Sequence, residues 1–107
     1  MKNLNFIGAS LDDLRAFPAP ARRAAGYQLC QVQQGLDPDD WRPMPSIGPG
    51  VIEIRLHEEG EVRVFYVATL ADTIHVLHAF QKKTRKTAQR DLELAKARLK
   101  QIRRSRS

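Results

Sequence analysis

Cysteine occurs once in the chain, at Cys30, so no disulfide can close within it and no cysteine cluster is available for a structural zinc. No apolar run approaches the roughly 20 residues of a membrane-spanning helix. The opening "MKNLNFIGAS" lacks the apolar stretch of a secretory leader. A soluble, cytoplasmic protein with no membrane partner is therefore expected. "SIGPG" is followed by no lysine or serine of a phosphate-binding loop, which argues against a P-loop nucleotide site. Histidine is limited to His57, His75 and His78. The last two are three apart on an expected strand and so should face opposite sides, which argues against a paired-histidine metal site. No metal and no cofactor is expected.

The chain has 107 residues, of which 42% are apolar, which suits one domain spanning residues 1–107 around one core. Its charge is divided unevenly. Residues 1–80 carry seven Lys/Arg and ten Asp/Glu, a balance of −3, whereas residues 81–107 carry eleven Lys/Arg and two acids, a balance of +9. A basic end on a mildly acidic body points to a phosphate-bearing or strongly acidic partner, or to a solubilising tail.

"LNFIG" alternates over Leu4 to Gly8 and reads as a short edge strand. Ser10, with Asp13 three residues on, reads as the cap of a short helix through Leu11 and Leu14 that "FPAP" stops. Pro20 suits the first turn of a second helix, and Ala25, Leu29, Val32 and Leu36 mark one face of it. Two helices joined by a proline turn make a helical hairpin. "DPDDWRPMPSIGPG" holds four of the six prolines, so it reads as a long connection that is neither helix nor central strand, with Trp41 as its anchor. Three strands follow, "VIEIRLHE", "EVRVFYVAT" and "TIHVLHAF", joined by "EG" and "LAD" and hence antiparallel neighbours. Ile52, Ile54 and Leu56 point one way, and Glu53 and Arg55 the other. Val62, Val64 and Tyr66 likewise oppose Arg63, Phe65 and Val67. This alternation implies a sheet with one face on helices and the other open. Thr87 is placed to cap a final helix with Asp91 in its first turn, whose apolar stripe is Ala88, Leu92, Ala95, Leu99 and Ile102. The order of elements predicts an α+β domain on an antiparallel sheet.

The pattern supports a polyanion site better than a catalytic motif. Arg55 and Arg63 lie on adjacent strands and share a face in the expected register, as two solvated arginines or as a guanidinium fork for phosphate. Lys82, Lys83, Arg85 and Lys86 emerge within five residues beyond the third strand, as a solvated loop or as the rest of a phosphate-tracking groove. His78 adjoins that run and could serve as a general acid or base, or be structural. Tyr66 fits the core or a stacked base. Cys30 fits packing.

Several stretches together resemble a known family: "SLDDLRAFP", "AGYQLCQVQQGLDPDDWRPMPSIGPGVIEIR", "VRVFYVA" and "VLHAFQKKTRKTAQRDLELAKARL". They are similar to the phage-derived, HigB-like toxins of the RelE/ParE superfamily, from about Phe6 to Leu99, most specifically in "DDWRPMPSIG" and "HAFQKKTRKT". The resemblance implies a RelE-like fold, an N-terminal helical hairpin packed on a curved antiparallel sheet with a C-terminal helix. It implies the toxin of a type II toxin–antitoxin pair. Such a toxin would be a ribosome-dependent endoribonuclease acting on mRNA in the 30S A site, held by a cognate helix-turn-helix antitoxin. It places Arg63 at a phosphate-binding arginine, Arg55 at a basic strand residue and Lys82 or Lys83 near a basic residue at the third strand's end. RelE-type toxins have a tyrosine further on that acts at the 2′-hydroxyl; here that neighbourhood reads "KTAQRD", which keeps His78 a candidate catalytic group beside Arg55, Arg63, Lys82 and Lys83. A ParE-like gyrase poison and a non-catalytic phage-derived nucleic-acid-binding module are the alternatives.

Overall fold

In a computed structural model the chain is described over residues 1–70 and 72–106. Its elements run β1 (Asn3–Phe6), α1 (Ser10–Arg15), α2 (Ala19–Gln33), β2 (Trp41–Pro43), β3 (Val51–Leu56), β4 (Glu61–Leu70), β5 (Thr73–Lys82) and α3 (Gln89–Arg106). The α+β order is as expected, and the sheet reads β1-β5-β4-β3-β2. All its pairs are antiparallel except β1 with β5.

The hydrophobic pattern accounts for two layers of core. Ile54, Leu56, Val62, Val64 and Tyr66 turn one face of the sheet onto Leu14, Phe17, Ala21, Ala25, Leu29 and Val32 of the helical hairpin. Burial of Tyr66 pushes its phenol pKa up to about 12, with Asp37 adding to the effect. The opposite face is not open, as the alternation implied. Val51, Phe65, Val67, Leu77 and Phe80 pack beneath Ala95, Leu99 and Ile102 of α3, with Met44 and Ile47 from the preceding loop. The 3.6-residue stripe of α3 supplies the cover that strand alternation by itself could not reveal. Gly48 brings that loop against the helix, because a Cβ there would collide with the Leu99 side chain.

Local expectations fared unevenly. Pro20 does start α2, but Leu36 lies past its end and is exposed. Ser10 does not cap α1. Its hydroxyl is buried and donates to the Val76 carbonyl at 3.1 Å, fastening α1 to β5. Thr87 does not cap α3 either; its hydroxyl is buried with no hydrogen-bond partner, and the Asp91 and Leu92 N–H groups turn back to the Ala88 carbonyl. The proline-rich connection contains β2, a three-residue edge strand, which is where proline is tolerated in a sheet. Trp41 stands on it, 39% exposed, and anchors no core. The "EG" link closes β3 onto β4 with both residues left-handed, Glu59 at φ 53° and Gly60 at φ 105°. Ala71, within the "LAD" link, lies outside the described residues.

One irregularity moves side chains. Phe65 pairs with His78 but Tyr66 pairs with Val76, so β5 carries one extra residue, Leu77. Such a bulge shifts the alternation by one. His75 opposite Val67 and His78 opposite Phe65 therefore share the α3 face instead of lying on opposite ones. Among the described residues, no group of three or more His, Cys, Asp or Glu could hold a metal ion. No described helix is long and apolar enough to cross a membrane.

Candidate nucleic-acid interface

The candidate site grows from cross-strand pairing at one end of the sheet. Arg42 on β2 lies opposite Glu53 on β3, and Arg55 on β3 lies opposite Arg63 on β4. Two arginines directly across from one another repel unless an anion is shared between them. Glu53 is that anion. It is 1% exposed, and its Oε1 lies 3.2 Å from Arg42 Nε, 3.8 Å from Arg55 Nε and 3.9 Å from Arg63 Nε.

Arg63 and Arg55 thus share a face, but they differ in exposure. The Arg63 side chain is 3% exposed and that of Arg55 36%. Arg63 donates from Nη2 to Glu61 at 2.9 Å and from Nη1 to the Val62 carbonyl at 3.1 Å. Its guanidinium is spent on protein carboxylates and backbone, so it does not form an open fork with Arg55.

The loop cations meet a different arginine. Lys82, Arg85 and Lys86 line a cleft of about 480 Å³ together with Arg42 and Ser46, floored by Met44 and Leu92. No carboxylate lines this cleft among the described residues. Arg42 is the residue sequence reasoning missed. Its signal was its place across from Glu53, hidden because the prolines argued against a helix or a central strand there and the stretch read as a connection. Lys83 turns away, into a neighbouring cleft of about 330 Å³ lined by Asp13, His78, Arg90 and Asp91.

His78 is not in the cationic cleft. It is 5% exposed, stacks on Phe80 with ring centroids 4.9 Å apart, and donates from Nε2 to Asp91 at 2.7 Å. Its Nδ1 is buried, makes no hydrogen bond and lies 4.0 Å from Asp13. In this arrangement the ring ties β5 to α3.

His57 closes the charged end. Its two nitrogens lie 2.8 Å from Asp40 and 2.8 Å from Glu61, so both carboxylates can accept only when the ring is protonated. The bond to Asp40, then that to Glu61, raises the His57 pKa above its usual value. Glu61 is held below the usual carboxylate range by His57 first and Arg63 second. The raised group stabilises the fold fully below its unfolded pKa of about 6.5. That contribution is lost as pH rises through its higher folded value. The lowered Glu61 contributes above its unfolded pKa and loses the contribution as pH falls through its folded one. Melting temperature is thus expected to fall on going from slightly acidic to mildly alkaline pH, and His57→Gln should flatten that slope. A slope unchanged in the variant would show that the histidine clamp contributes nothing.

The architecture matches a solved toxin. The E. coli RelE toxin, in its isolated form, superposes with a TM-score of 0.60 over 95% of this chain and 99% of that one, at 18% identity. The fold is therefore the RelE fold. No curated protein matches the sequence. The pattern of the family described as phage derived protein Gp49-like (DUF891) matches residues 12–100, and the chain belongs to that family.

Proposed function

We propose that this chain is the toxin of a type II toxin–antitoxin pair, and that it binds mRNA in the Arg42–Lys82–Arg85–Lys86 cleft and cleaves it on the ribosome. The observation that carries this reading is the convergence of four cations, from β2, the end of β5 and the following loop, on a cleft with no carboxylate lining it among the described residues. Such a cleft suits a ribose-phosphate chain, which supplies anions at regular intervals. The RelE fold and the Gp49-like family support a toxin.

In the proposed reaction the RNA 2′-hydroxyl attacks the adjacent phosphorus. The bond to the next nucleotide's 5′-oxygen breaks, leaving a 2′,3′-cyclic phosphate and a free 5′-hydroxyl. Negative charge grows on the non-bridging oxygens, where fixed cations act without reorganising; one such donor is typically worth about 3 kcal/mol. Lys82, Arg85, Lys86 and Arg42 fill that role. Arg55 and Arg63 do not line the cleft and are linked to it through Glu53, which lies 3.8 Å from Arg55, 3.9 Å from Arg63 and 3.2 Å from Arg42. Lys83 and His78 flank the neighbouring cleft and could contact a strand that runs on past Phe80. The lysines are the only side chains lining the cationic cleft, among the described residues, that could accept the 2′ proton.

Inducible expression in bacteria tests the reading. Growth arrest with messages cut inside ribosome-bound coding regions is expected, relieved by a co-expressed helix-turn-helix partner that co-purifies with the chain. DNA damage with intact messages would instead identify a gyrase poison. A non-catalytic RNA-binding module is the second reading, favoured by the lack of tyrosine, histidine or carboxylate in the cleft among the described residues. It would bind RNA and leave messages whole.

A further inference from the structure

The buried carboxylate beneath the cations has no part in the phosphate chemistry described above. Burying Glu53 on the α3 face, between Val51 on its own strand and its cross-strand partner Phe65, is costly, since an ion loses its hydration there. Arg63 and Arg55 account for part of the compensation, but both stand 3.8 Å or more from Oε1 through atoms that complete no hydrogen bond. The short contact, 3.2 Å, goes to Arg42, whose side chain is 51% exposed. A half-exposed partner adds little stability to a buried carboxylate. What the contact does achieve is geometric. It holds the guanidinium of an edge-strand residue by Nε, leaving the two terminal nitrogens for a ligand in the cleft. A planar guanidinium fixed at one nitrogen keeps a paired-donor edge suited to phosphate.

We propose that Glu53 is a positioning residue: it orients Arg42 as a phosphate donor in the cationic cleft. This role rests on the RNA-cleft reading and adds a residue that touches no RNA itself. It also makes a prediction opposite in sign to simple electrostatics. Removing an acid beside a cationic cleft should strengthen RNA binding if charge alone counts. If Glu53 orients Arg42, the same change weakens it.

The test is binding of a short synthetic single-stranded RNA, followed by fluorescence anisotropy over a range of salt concentrations. Glu53→Gln is expected to bind about five-fold more weakly at ~0.1 M salt, with the slope of log affinity on log salt reduced by about 0.7, the loss of one phosphate contact. In an Arg42→Ala background the same change should cost nothing further, since the two residues act as one. Arg42→Lys sits on the exposed edge strand, so it keeps the test usable should Glu53→Gln fold poorly. It preserves the charge but removes the Nε contact, and a similar five-fold loss is expected. Tighter binding by Glu53→Gln, independent effects of the two substitutions, or an Arg42→Lys variant equal to wild type would each overturn the role. If the wild-type chain holds no RNA at all, the cleft reading fails and this role with it.

Discussion

Replacing Lys82, Arg85 and Lys86 together by alanine is expected to lower affinity for single-stranded RNA about 100-fold at ~0.1 M salt. Each phosphate contact on a single strand contributes about 0.7 to the slope of log affinity on log salt, so three contacts are worth about two decades. The slope itself should fall by about 2. Lys82 is half-buried and Arg85 and Lys86 are exposed, so the triple variant should fold as the parent does. Growth arrest on induction should disappear with the affinity. A variant that binds with the parental salt slope would place the RNA elsewhere on the protein.

Arg63→Ala should instead act on folding. Arg63 is 2% exposed, bonded to Glu61 at 2.9 Å and within 3.9 Å of the buried Glu53. Its loss leaves the buried Glu53 with only the part-exposed Arg42 and Arg55 as counter-charges, at a cost of about 3 kcal/mol, the lower end for breaking a buried pair. That is a large share of the roughly 5–15 kcal/mol that hold a domain of this kind together. Urea unfolding measures it directly, and a loss below 1 kcal/mol would show that Glu53 is satisfied without Arg63. The same variant bears on the reaction once stability is known. If it remains folded and still arrests growth with message cleavage, Arg63 is no phosphate clamp.

These two variants mark where sequence reasoning reached and where it stopped. Period-two alternation placed Glu53, Arg55 and Arg63 on one face and Ile54, Val62 and Val64 on the other, and the register bears this out. The stripe at Ala95, Leu99 and Ile102 was also plain, because an amphipathic helix announces its buried side. What neither pattern states is which sheet face the stripe covers, and that decides whether Arg63 is an open ligand or a buried one. Thr87 and Ser10 show a second limit: both have the chemistry of a cap, yet the Ser10 hydroxyl donates to the Val76 carbonyl of β5 and the Thr87 hydroxyl is buried with no hydrogen-bond partner. Arg42 was obscured by a sound rule, since proline bars a segment from the middle of a sheet but not from its rim. The histidines failed for a purely backbone reason, an added residue that no side chain advertises.

That added residue, Leu77, divides β5 into two frames. On one side of it Ile74 and Val76 face α2 and carry the register of β1; on the other, Phe80 and Lys82 serve α3 and the loop cations. Excising Leu77 would rejoin the two frames as one regular alternation, whereas losing any paired residue between Thr73 and Phe80 would turn the side chains of one half of the strand to the wrong face. Insertions and deletions among kindred chains should therefore collect in the turns and the proline-rich crossing, and spare the paired residues from Thr73 to Phe80, with Leu77 the one place there where a residue can be lost.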